Sequence, residues 1–126
     1  PCHTSSWLAK ETRDGGAGLQ HYQSATVYCF ALMIPGSYEQ KLLRMQYNEQ
    51  ASLFACNAYT VYSNVSVDLA PGLVTHVVDS DLHCEFGGEF GTALNTKIFL
   101  AVWKKVVSDG VYLTCQWSAK VDPDAV

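Results

Sequence analysis

Thr26–Ile34 (T-V-Y-C-F-A-L-M-I) is a nearly unbroken apolar run rich in strand formers. That is the pattern of a central strand covered on both faces. Pro35-Gly36 ends it and Ser37 opens a helix, with Gln40 three residues on to complete a capping box and Glu39 favourable in the first turn. Along this helix Tyr38, Leu42 and Met45 are expected to form a buried stripe, with Leu43 beside it and Lys41, Arg44 and Gln46 facing out. Gln50 or Ala51 leads into Ser52–Cys56 (S-L-F-A-C), which reads as a second short buried strand. Strand, helix, strand at this spacing predicts a βαβ unit with parallel strands and a right-handed connection.

The pattern then weakens. Tyr59–Ser63 fits either a third extended piece or the start of a helix, and Leu73–Val78 reads as a strand after the Pro71-Gly72 turn. Asp79 to Gly91 is a polar, glycine-rich loop. Thr92 or Asn95 caps the strongest helix, whose apolar face comprises Leu94, Ile98, Phe99, Val102, Trp103 and Val106. Asp109-Gly110 stops it, glycine being suited to the left-handed position that follows a helix, and Val111–Val121 carries the closing strand. Residues 1–24 lack an apolar period and form an irregular N-terminal arm; residues 25–126 form one α/β domain. The fold class expected is α/β, a three-layer, Rossmann-like, mainly parallel sheet.

Composition narrows the function. The chain has 126 residues, 48% of them hydrophobic, and a net charge of −4 without a Lys/Arg cluster. This fits one globular domain and excludes nucleic-acid binding by phosphate neutralisation. No apolar run reaches the length of a transmembrane segment. The chain begins with Pro1 where an initiator Met would stand. A processed mature form, an excised piece and an incomplete sequence all fit that start, and chloroplast and secretory pathway both stay open as compartments. Five cysteines contain no C-x-x-C pair, which argues against structural zinc. Cys29 and Cys56 lie in apolar runs and read as buried small hydrophobes, leaving one bridge among Cys2, Cys84 and Cys115 with its pairing open.

The candidate chemistry sits at the end of the last strand. Asp122-Pro123-Asp124 puts two carboxylates where open α/β sheets place their ligands, outside the carboxyl ends of the strands. Hard oxygen ligands of this kind suit Mg²⁺ or Mn²⁺ together with a substrate diphosphate. Two aspartates after a strand are equally the residues of a solvated turn. A second acidic group, His76, Asp79, Asp81, His83, Cys84 and Glu85, mixes ligand types at spacings that fit a polar surface loop better than a metal site. Gly87–Gly91 lacks the Gly-Lys-Ser/Thr ending of a phosphate-binding loop, and Asn64-Val65-Ser66 is a glycosylation sequon.

Three blocks, Ser52–Asn64 (S-L-F-A-C-N-A-Y-T-V-Y-S-N), Thr92–Val106 and Trp117–Val126 (W-S-A-K-V-D-P-D-A-V), resemble algal sequences abundant in dinoflagellates. Those are similar in turn to the nucleotide-binding half of GT-A-fold glycosyltransferases. The resemblance implies that the first βαβ unit holds the nucleotide of a nucleotide-sugar. It implies that the D-x-D pair binds a metal, which stabilises charge on the nucleotide leaving group. On this chain Asp122 and Asp124 would be the metal ligands, with Asp122 also near the ribose, and Asn57 would lie near the base. No catalytic residue is assigned.

The sequence departs from the family pattern in two places: Asn57 stands where an Asp is usual, and Cys115-Gln116 where His-Asp is usual. These departures imply a non-catalytic GT-A-like module, an accessory or binding subunit of a larger assembly with a protein partner. In a photosynthetic alga a membrane complex such as a photosystem is one such partner. The alternative is the front portion of an active, metal-dependent glycosyltransferase using a nucleotide-sugar donor.

Overall fold

In a computed structural model, residues 25–83 and 96–125 are described in full; the short strands at 10–11, 20–21, 85–87 and 92–94 are described by their backbone. The strands in chain order are β1 (Lys10–Glu11), β2 (Gln20–His21), β3 (Val27–Leu32), β4 (Ala58–Ser63), β5 (Asp68–Ala70), β6 (Leu73–Val74), β7 (His76–Val77), β8 (Glu85–Gly87), β9 (Thr92–Leu94) and β10 (Trp117–Lys120). The helices are α1 (Tyr38–Glu49) and α2 (Thr96–Asp109), with single 3₁₀ turns at Ser52–Ala55 and Val111–Thr114. Four strands form one sheet in the order β10-β3-β4-β7, every neighbouring pair parallel. The pairs β1–β2, β5–β6 and β8–β9 are small antiparallel appendages. Most of the N-terminal arm lies outside the described residues.

The run 26–34 makes the central strand because both of its faces are apolar and both are used. Cys29, Ala31 and Met33 pack on one face with Leu43 of α1 and Leu53, Phe54 and Val61. Tyr28 and Phe30 pack on the other with Val102 and Val106 of α2 and with Tyr62. The two helices therefore cover opposite faces, giving the expected α/β layering around a parallel sheet. Full burial of side chains of this size contributes about 1.5–3 kcal/mol each, and Tyr28, Phe30, Met33 and Leu43 are wholly buried.

Helix α1 starts where expected. Ser37 Oγ accepts the Glu39 N–H at 3.3 Å. The acidic and amide side chains of the first turn reach back further than a capping box would: Glu39 Oε2 accepts from Ile34 N and Gln40 Oε1 from Gly36 N. The buried face differs from the expected stripe. Leu43 and Gln46 are buried, whereas Tyr38 and Met45 are exposed. The rotation seats Leu43 in the core and brings Gln46 inward, where Nε2 donates to the Pro123 carbonyl at 2.8 Å and Oε1 is buried without a hydrogen-bond partner. A polar side chain can turn inward when it finds such a partner.

Ser52–Cys56 is not a strand. Ser52–Ala55 is a 3₁₀ turn with Cys56 extended after it, and the second strand of the βαβ unit is Ala58–Ser63, which settles the open reading of Tyr59–Ser63. The physical reason lies partly in a covalent bond: Cys29 and Cys56 form a disulfide instead of packing as separate small hydrophobes. Cys56 is thereby held at the start of β3's neighbour, and the turn before it delivers Leu53 and Phe54 into the core. Cys115 is disulfide-bonded as well, and Cys2 and Cys84 lie outside the described residues. Leu73–Val78 divides at buried Thr75, whose Oγ1 accepts from Val67 N and donates to Val65 O, so that β6 pairs with β5 and β7 with β4. The closing segment opens with a 3₁₀ turn before β10, and Gly110 before it takes φ 75°, as its role after α2 requires. Among the described residues no helix is long and apolar enough to cross a membrane.

Candidate functional site

The order β7-β4-β3-β10 reverses direction at β3: the chain moves outward one way through α1 to β4, and returns through α2 to β10 on the other side. The crevice outside the carboxyl ends of β3 and β10 is the place where such sheets hold ligands. A cleft of about 300 Å³ is found there, lined by Leu32, Ile34, Glu39, Leu82, Ile98, Phe99 and Asp122-Pro123-Asp124. Glu39 stands in the first turn of α1, and Ile98 and Phe99 in the first turn of α2. Two helix N-termini, with their partial positive charge, thus border it.

The two aspartates reach this cleft by the geometry of a tight turn. Val121 N bonds Phe30 O at 2.8 Å, ending the pairing with β3. Ala125 N then bonds Asp122 O at 2.9 Å, closing a four-residue turn with Asp first and Pro second, the residues that such turns favour. Pro123 is buried, with its carbonyl on Gln46, and Ser52 Oγ donates to Ala125 O at 2.7 Å. The acidic end of β10 is therefore clasped against α1 and the 3₁₀ turn that follows it. Asp122 is paired with the Lys120 ammonium, which also lies 4.2 Å from the centre of the Phe99 ring. Glu39 is occupied with Ile34 N. Asp124 is exposed. Among the described residues no three His, Cys, Asp or Glu side chains are grouped to hold a metal ion.

Asn57 does not join them. It precedes β4, and its Oδ1 accepts from Val27 N at 2.9 Å, at the amino ends of the parallel strands. At about 3.3 Å per residue, the length of β3 puts it roughly 17 Å from the carboxyl end. Gln116 is likewise at the amino end, where its backbone and side chain bond Thr26. Asn57 and Gln116 are therefore both engaged at the amino ends of the strands, away from the cleft.

The residue at the carboxyl end of the second strand is Asn64. Its Oδ1 and Ser63 Oγ are buried there without a hydrogen-bond partner. Reading Tyr59–Ser63 as the second strand would have found it.

Sequence reading also missed a polar cluster at the far end of α2. Asp109 takes hydrogen bonds or ion contacts from Lys105 Nζ at 2.8 Å, Tyr62 Oη at 3.1 Å and His76 Nδ1 at 3.5 Å. Burial works to raise its carboxyl, but the donors Lys105, Tyr62 and His76 together hold it below the usual range. Tyr62 is pushed far above the ordinary phenol range by burial, then by its contacts with Tyr28 and Asp109. A carboxylate saturated by three donors next to a phenol locked in its neutral form fastens β4 and β7 to α2. In the loop beyond, Asp81 and Ser80 accept from the backbone N–H groups of His83 and Leu82, as turn residues do.

Neither a protein-family profile, nor a curated protein, nor a solved structure matches the chain. The functional reading therefore stands on these residues and their arrangement.

Proposed function

We propose that this domain is a non-catalytic, glycosyltransferase-A-like module serving as a binding subunit of a larger assembly. The observation that carries this reading is the state of the acid pair. Asp122 and Asp124 stand at the strand end that the D-x-D motif would occupy, but Asp122 Oδ1 carries an internal ammonium and the backbone between the two is folded into a clasped turn. A metal bridging a diphosphate would have to compete with that ammonium for Asp122. The outer surface of α2 supports a protein partner: Leu100 and Val107, two helical turns apart, are 54% and 60% exposed. Such stripes suit contact with another chain.

A second reading is favoured by the cleft itself, which lies at the reversal of strand order between two helix N-termini. That is the place for a nucleotide-sugar in the front portion of an active, metal-dependent glycosyltransferase, with Mn²⁺ or Mg²⁺ on Asp122 and Asp124.

Calorimetric titration of the folded chain with Mn²⁺ and a panel of nucleotide-diphosphate sugars separates the two. The first reading expects no metal-dependent binding. Saturable binding that needs Mn²⁺ and disappears in Asp124→Ala would overturn it in favour of the second.

A further inference from the structure

We infer that Lys120 is the resident cation at the acidic end of β10, its ammonium standing where a divalent metal would otherwise be held. This rests on the proposed reading of the Asp122-Pro123-Asp124 segment and gives it a cause. Positions 120 and 122 fall on the same side of an extended backbone, so the long lysine side chain can fold onto the carboxylate two residues on. Most surface lysines that do so are poorly held, because four rotatable bonds must be fixed for one solvated ion pair. Lys120 is held at two points. Its ammonium pairs with Asp122 and lies 4.2 Å from the Phe99 ring centre, an arrangement in which the ring face attracts the cation. The Lys120 side chain is 27% exposed against 61% for Asp122, so its stem is the better covered of the two.

Phe99 belongs to the cleft wall, and Asp122 and Asp124 to its rim. A divalent ion on Asp122 would sit a few ångströms from a like-signed ammonium and be repelled by it. Loading a metal requires Lys120 to leave both Asp122 and Phe99. Lysine at this position therefore selects against metal, and the sequence change that would open the site is at 120 rather than in the D-x-D pair.

The test is Mn²⁺ titration of the full chain, by calorimetry and by the electron paramagnetic resonance signal of free Mn²⁺, without a nucleotide. Lys120→Met keeps an unbranched apolar stem against Phe99 and removes the charge; Lys120→Gln serves if the first variant does not fold. The expected result is Mn²⁺ binding at least about tenfold tighter in Lys120→Met than in wild type, abolished again in Lys120→Met/Asp124→Ala. Wild type that binds Mn²⁺ as tightly as Lys120→Met, with both losing it on Asp124→Ala, overturns the role of Lys120 and the non-catalytic reading together. If no variant binds Mn²⁺, the role of Lys120 falls while the non-catalytic reading stands.

Discussion

The Cys29–Cys56 bridge ties the central strand to the residue that leads into its neighbour, and its removal should be the most costly covalent change available in the described fold. The two cysteines are separated by 27 residues. Closing a loop of that length restricts the unfolded chain by an entropy worth about 3.5 kcal/mol at 25 °C. Cys29 is almost completely buried, so removing both sulfurs also leaves unfilled space in the cluster around Leu43 and Leu53, which adds to the loss. The perturbation is Cys29→Ala/Cys56→Ala, chosen over a reductant because Cys115 is also disulfide-bonded and would be reduced at the same time. Urea denaturation should report a loss of at least ~3 kcal/mol together with a steeper urea dependence, because the unfolded chain is no longer cross-linked and exposes more surface. For a chain of this length that corresponds to roughly 10–17 °C in Tm. A loss under ~1 kcal/mol with an unchanged slope would refute the loop-closure reasoning and return Cys29 and Cys56 to the role of ordinary packing residues.

Two further outcomes follow from the packing of the helices. Leu43→Ala should cost ~2–5 kcal/mol while Tyr38→Ala and Met45→Ala each stay within ~0.5 kcal/mol, measured by the same denaturation; the opposite ranking would restore the helix face expected from periodicity. Asp109→Asn should cost about 1–3 kcal/mol at neutral pH by loosening Lys105, Tyr62 and His76. Because the Asp109 carboxyl is held below its usual range in the fold, its stabilisation is present above the unfolded carboxylate pKa of about 4 and is lost as pH falls through the lower folded value. Thermal melts from pH 7 to pH 2.5 should accordingly show wild type and Asp109→Asn converging at the acid end; a constant gap would place the effect elsewhere than in ionisation.

The first βαβ unit was legible because its signals are local. An apolar run bounded by Pro35-Gly36, a Ser37 cap and a second apolar stretch at the right distance define a parallel pair whatever else the chain does. The long helix α2 and its stop at Gly110 were legible for the same reason, but its start was not: Leu94, expected on the helix's apolar face, belongs to β9. The second strand was misplaced by a few residues because Ser52–Cys56 and Ala58–Ser63 are both short and apolar, and periodicity does not separate a buried turn from a buried strand. That displacement carried Asn57 to the carboxyl end of the second strand when it belongs to the amino end.

The sequence by itself determined the α/β class, the parallel core and the position of Asp122 and Asp124 just after the last strand. All of these follow from local composition and from the handful of ways a strand can be followed by a helix. Tertiary structure decided which face of α1 is buried, with Leu43 in the core and Gln46 on Pro123, 77 positions away. It paired Cys29 with Cys56, since an apolar environment does not distinguish a thiol from half of a bridge. It also gave Asp122 to Lys120 under Phe99 of a different element. Each of those choices depends on a contact made across space, and a contact of that kind leaves no period or spacing along the chain to be read.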